Sequence, residues 1–189
     1  FFVVVGAFGI LIRALLAIAM NYWWSRAEGD GLLPKSDEIT NYYVGQRISA
    51  SLHAGMSVAA TDIQLMDPHI GYYHVVGWLI YLFDITPLGL RLLNVAVSLI
   101  LPVAILALCR EANLGRRAEK IFFVLALFAP SVIFWNTLVL KETFVYALSG
   151  LVLLGGGRMV LHEKVTLTDL ALFTLPLLLL SVFRSYACL

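Results

Sequence analysis

Residues 88 to 109 read LGLRLLNVAVSLILPVAILALC. Apart from Arg91, Asn94 and Ser98 the stretch is apolar or small. It is long enough to cross the hydrocarbon core of a bilayer, which takes about 20 helical residues. It has no period-two alternation, and a backbone in lipid must satisfy its own polar groups, so it reads as a helix. Four more runs resemble it, at 1–20, 121–140, 143–161 and 170–187, the last two slightly short. Together they predict an all-α polytopic membrane protein with about five transmembrane helices. Residues 1–189 would form a single transmembrane domain, with an outer loop over 21–87.

The composition agrees. Hydrophobic residues make up 61% of the chain and charged residues only 13%, with mean hydropathy +0.90, whereas ordinary soluble domains carry about 25% charged residues. The 13 Lys and Arg oppose 12 Asp and Glu, so no broad positive field exists to recruit nucleic acid. Cys109 and Cys188 lie in apolar stretches without metal-type spacing and read as ordinary buried thiols. The first run contains Arg13 and leads into Asn21-Tyr22-Trp23-Trp24 instead of a small-residue cleavage site, which suits an uncleaved helix ending in an aromatic belt. Both termini fall inside apolar runs, and the chain reads as a piece of a longer one.

Basic residues set the expected orientation. Arg110, Arg116, Arg117 and Lys120 crowd one loop, and Arg158 and Lys164 flank the next on that side, which predicts cytoplasmic loops there. The 21–87 segment and the turn at Lys141-Glu142 then face outward. Ser36-Asp37-Glu38 reads as a capped helix start with acids at the positive end of the dipole, opening a helix over 37–53 that closes near Gly55. A second stretch, 70–83, is closed by Asp84 and Pro87 and is too short to cross. Its Tyr72, Tyr73, Trp78 and Tyr81 suit a second juxtamembrane helix lying in the interface.

Residues able to carry chemistry gather on that outer side. Asp37 and Glu38 are either a decorated helix start or carboxylates placed to take a proton from a hydroxyl. Asn41 shares the face of Asp37, and Tyr42 that of Glu38. Lys141-Glu142 marks a tight turn or a buried site. Arg184, near the outer end of the last span, is a functional candidate or a snorkelling anchor. Arg91 and Asn94 read as interfacial anchors. His53, His69 and His74 have no paired metal spacing, although Asp62 and Asp67 leave open a divalent cation held through carboxylates. Gly155-Gly156-Gly157 reads as a close helix contact, not a phosphate loop, and no serine or cysteine nucleophile motif is present.

The order of these features resembles the N-terminal part of the GT-C fold glycosyltransferases, the family of protein O-mannosyltransferases and bacterial aminoarabinose transferases. The resemblance rests on a first span, then Ser36-Asp37-Glu38-Ile39-Thr40-Asn41-Tyr42-Tyr43, then Asp67-Pro68-His69-Ile70-Gly71-Tyr72-Tyr73. Pro87-Leu88-Gly89-Leu90-Arg91-Leu92-Leu93-Asn94 follows, then a basic turn, and Pro130-Ser131 through Lys141-Glu142. The motifs are short, and it is their order and spacing over nearly the whole chain that match.

The resemblance implies transfer of a sugar from a polyprenyl-phosphate-linked donor to a glycan, lipid or protein acceptor at the outer face of the membrane. Asp37 would be the catalytic carboxylate, Glu38 the accompanying acid and Glu142 the second acidic residue. Arg184 would sit near the carrier phosphate, with Lys141, Tyr42, Tyr72 and Arg91 as further substrate-binding candidates. Some relatives carry a basic residue where Asp67 stands, which shifts phosphate binding toward Arg184 or Lys141. Two other classes remain open on sequence alone: a transporter or flippase, and a non-catalytic subunit that binds a lipid carrier. Transporters place charges or helix breaks near the midplane; here most charges sit at helix ends.

Overall fold

The computed structural model describes residues 1–27, 29–56, 70–162 and 164–183. Its regular elements are all helical: α1 Phe2–Ala27, α2 Asp37–His53, α3 Ile70–Phe83, α4 Pro87–Val97, α5 Ile100–Glu111, α6 Arg116–Phe128, α7 Pro130–Asn136, α8 Glu142–Leu161 and α9 Leu167–Phe183.

In α1 the apolar run of 1–20 continues as helix through the aromatic residues to Ala27. Only Gly9, Arg13 and Ala17 of this helix are buried, a stripe at spacing four. The other faces show apolar side chains such as Val3 and Val4, as a lipid-facing helix requires. Pro87 at the first turn and Thr86, whose hydroxyl accepts from the Gly89 amide at 3.3 Å, start α4. With α5 it forms one long apolar helix over Pro87–Glu111, matching the 88–109 stretch.

The expected 121–140 span is broken. Pro130 has no amide proton to give back to the preceding turn, and α6 and α7 meet there at 47°. Three helices, α1, the α4–α5 unit and α8, are long and apolar enough to cross a membrane, or four if the bent pair counts as one span. The expectation of about five is therefore not met among the described residues. In α9, 17 residues are described, a length of about 26 Å against a hydrocarbon core of about 30 Å.

Helices α2 and α3 match the predicted ranges, but Ser36 does not cap α2 with its side chain. Its hydroxyl instead donates to the Leu33 carbonyl at 2.6 Å, tightening the preceding turn. That turn also needs Gly31, at φ +78°, where a Cβ would stand 2.7 Å from both Asn21 Oδ1 and Ser25 Oγ. Two glycines let α2 and α3 approach closely: Gly45 receives Val76, and Gly77 receives Ile48. A core of Leu32, Tyr72, Val76, Leu90, Val139, Val145, Leu180 and Phe183 joins α3 and the chain before α2 to α4, α8 and α9. A second cluster, Leu106, Phe123 and Leu127, packs with Phe2 and Val5 of α1.

At the basic end, Arg158 pairs with Asp169 at 3.0 Å and with Glu111 at 3.7 Å. Arg110 pairs with Glu119 at 3.7 Å. These contacts tie together the ends of α5, α6, α8 and α9.

Candidate functional site

The site is built around a carboxylate buried at the start of α2. Glu38 is 0% exposed. Its Oε1 accepts from Arg91 Nε and from the Val139 amide, both at 2.8 Å. Its Oε2 accepts from Arg91 Nη2 at 2.7 Å and from the Leu33 amide at 2.8 Å. A carboxylate offers about four lone-pair sites, and all are used. Glu38 therefore has no free acceptor site for a substrate, and its fork with Arg91 is the bidentate arrangement that orients as well as binds. Arg91 and Asn94, read from sequence as interfacial anchors, are instead fully buried, because α4 meets α2 and the 137–141 turn along this face.

That turn is non-helical backbone, which must find partners when water is excluded. Polar side chains supply them. Glu38 takes the Val139 amide, Asn41 Nδ2 donates to the Val139 carbonyl at 2.8 Å, and Asn94 Nδ2 donates to the Leu138 and Leu140 carbonyls. Asn94 also reaches the Tyr72 hydroxyl at 3.4 Å. Burial pushes the Tyr72 phenol well above its ordinary value, so it stays protonated.

The grip on the turn brings two other acids together. Asp37, adjacent to Glu38, and Glu142, the first residue of α8, line one cavity of about 370 Å³ with Leu33, Ser36, Phe134, Trp135, Leu138 and Leu140. Asp37 is exposed and Glu142 half-buried. Both stand at helix N-termini, where the dipole favours a negative charge. Two of the lining residues are therefore acids. Its wall is apolar, with Phe134 and Trp135 of α7 edge to face at 5.3 Å.

The other sequence candidates fall elsewhere. Arg91 and Tyr72 are buried behind the cavity and do not line it. Lys141 is nearly buried in the turn. Tyr42 is half-buried against the core cluster that holds Leu32 and Tyr72, its phenol raised chiefly by burial. Arg184 lies outside the described residues, as do Asp62, Asp67 and His69, on which a cation site or a comparison of the interfacial-helix motif would depend. His53 rests against the Tyr81 ring at 4.7 Å. Among the described residues no group of three or more His, Cys, Asp or Glu side chains gathers to hold a metal ion.

Sequence reasoning did not anticipate the aromatic wall. Its one signal was the Phe134-Trp135-Asn136 step closing an apolar run behind Pro130. Compared with protein-family models, curated proteins and solved structures, the chain has no match.

Proposed function

We propose that this chain is part of a membrane glycosyltransferase of the GT-C type, a mannosyltransferase-like cell-envelope enzyme acting at the outer face of a bacterial inner membrane. It transfers a sugar from a polyprenyl-phosphate donor to a hydroxyl on a glycan, lipid or protein acceptor. The observation that carries this reading is the cavity shared by Asp37 and Glu142, with its apolar, aromatic wall beside the ends of membrane-length helices.

A lipid phosphate is already a good leaving group, so the protein need supply only acceptor activation and charge neutralisation. Asp37, exposed to the cavity, takes the acceptor proton, a contribution of about 10² to 10⁴ in rate. Glu142 orients the acceptor or the sugar by accepting hydrogen bonds. Arg184 stabilises the departing phosphate by charge-assisted hydrogen bonds. Attack from the face opposite the phosphate inverts the anomeric centre. Glu38 acts one layer back, as a structural brace whose acceptor sites are all taken by Arg91 and by the Leu33 and Val139 amides.

The test is sugar transfer from radiolabelled undecaprenyl-phosphate sugars in membranes containing the chain within its complete protein. Asp37→Asn should lower turnover about 100-fold or more while donor binding persists. Transfer unchanged by that substitution would overturn the assignment and favour a carrier-binding subunit. Retention of anomeric configuration in the product would overturn the single-displacement step.

A further inference from the structure

Arg13 lies well inside α1, where an ionisable side chain in a span calls for an explanation. It is 0% exposed. Nη1 donates to the Gly9 carbonyl at 3.3 Å, one turn back, and Nη2 donates to the Leu127 carbonyl of α6. Leu127 is also 0% exposed, and its side chain occupies the space a Cβ on Gly9 would need, 2.7 Å from Cδ2. Gly9 and Arg13 thus grip one residue twice, the glycine by its side chain and the arginine by its carbonyl.

The gripped residue stands at the break in the α6–α7 span. The last carbonyls of α6 have lost their ordinary partners there, because Pro130 has no amide proton and α7 turns away by 47°. In lipid such carbonyls are costly unless a donor reaches them, and a cation suits the negative end of the helix dipole. Beyond the break, α7 carries Phe134 and Trp135 to the cavity that holds Asp37 and Glu142.

We infer that Gly9 and Arg13 form a latch on Leu127 that fixes the bend between α6 and α7 and so sets the position of the aromatic cavity wall. Arg13 is a positioning residue for the cavity. Its link to sugar transfer rests on the proposed function, but the latch itself does not.

The experiment reads the wall directly. In the complete protein in liposomes, with Cys109 and Cys188 replaced by Ala, Ser36→Cys places a thiol in the cavity lining. Its rate of modification by a charged, membrane-impermeant thiosulfonate is measured with Arg13→Gln, Gly9→Ala or Gly6→Ala. Gly6 is the control, since a Cβ there meets Phe123 Cζ at an ordinary 3.7 Å.

Arg13→Gln and Gly9→Ala should each change the rate by about threefold or more, the size expected of coupling through packed elements. Gly6→Ala should leave it unchanged, and Arg13→Lys, which keeps a donor and a charge, should restore part of the difference. Equal rates in all variants would overturn the latch, as would an equal change in Gly6→Ala. If Arg13→Gln fails to fold, Gly9→Ala decides alone, because the atoms it displaces, Cδ2, Cγ and Cδ1 of Leu127, are side chain and not backbone. Changed rates with no sugar transfer in any form would uphold the latch and count against the glycosyltransferase reading.

Discussion

Glu38 and Arg91 form a fully buried bidentate ion pair, with Nε and Nη2 of the arginine at 2.8 and 2.7 Å from the two carboxylate oxygens. Taking both charges out of water costs several kcal/mol per ion. Two backbone amides, those of Leu33 and Val139, help offset this by completing the carboxylate's shell. The pair's structural return is geometric: it joins α2, α4 and two irregular segments at one point.

Removing one partner should therefore be worse than removing both. Arg91→Met leaves a buried, half-satisfied carboxylate and should destabilise the protein by about 3–5 kcal/mol. Glu38→Leu with Arg91→Met should recover part of that loss, although the Leu33 and Val139 amides stay unpaired. Thermal unfolding of the detergent-solubilised protein, followed for both single variants and the double, checks this. A double variant no more stable than Arg91→Met would show that the amide contacts, not the paired charges, dominate.

Adjacent acids should behave in opposite ways. Asp37 is exposed and lines the cavity, whereas Glu38 is enclosed. If Asp37 is the proposed base, Asp37→Asn should leave the melting temperature unchanged and lower sugar transfer about 100-fold or more. Glu38→Gln should lower the melting temperature, since the neutral amide cannot accept all four hydrogen bonds, and should reduce transfer only in proportion to the folded fraction. Melting and transfer curves on the same preparations separate the two, and a stable, inactive Glu38→Gln would reverse their roles.

Much of this was legible in the chain itself. The helices at 37–53 and 70–83 and the 88–109 span follow from acids at a helix start, prolines and run lengths, all local signals, although Ser36 does not cap α2 as its position suggested. The break at Pro130 was visible as a proline but lay within an apolar run, and whether such a residue kinks or ends a span depends on its neighbours. Arg91 and Asn94 were misplaced for a related reason. At a helix start near the interface, local sequence cannot distinguish an anchor from a buried partner, and the partners here, Glu38 and the 138–140 backbone, lie far away in sequence. The proximity of Asp37 and Glu142 followed only as a consequence of sharing a side.

The triglycine step should show a graded response. A Cβ on Gly155 would stand 2.6 Å from the Phe173 backbone nitrogen, whereas one on Gly156 meets only the Phe173 ring, at 3.4 Å. Backbone cannot yield as a ring edge can. Gly155→Ala should force α8 and α9 apart and cost about 1–3 kcal/mol, while Gly156→Ala should cost much less. Unfolding of the two variants side by side checks the order, and equal losses would mean that helix propensity or lipid contact outweighs the α8–α9 approach.

Under the proposed function, Trp135 offers a test of which part of the donor the cavity wall would serve. The residue is 41% exposed and shares the cavity with both acids, so its loss removes cavity surface without opening a buried core. If the wall holds the isoprenoid or the sugar face equally in ground and transition states, Trp135→Ala should raise KM for the polyprenyl-phosphate donor and leave kcat nearly unchanged. A drop in kcat at constant KM would instead place the ring against the reacting sugar, where contact strengthens only as the bond to phosphate breaks. Water-soluble short-chain donors sharpen the distinction. If the wall binds the lipid tail, the variant and the native protein should handle a truncated donor alike, because neither has a tail to hold.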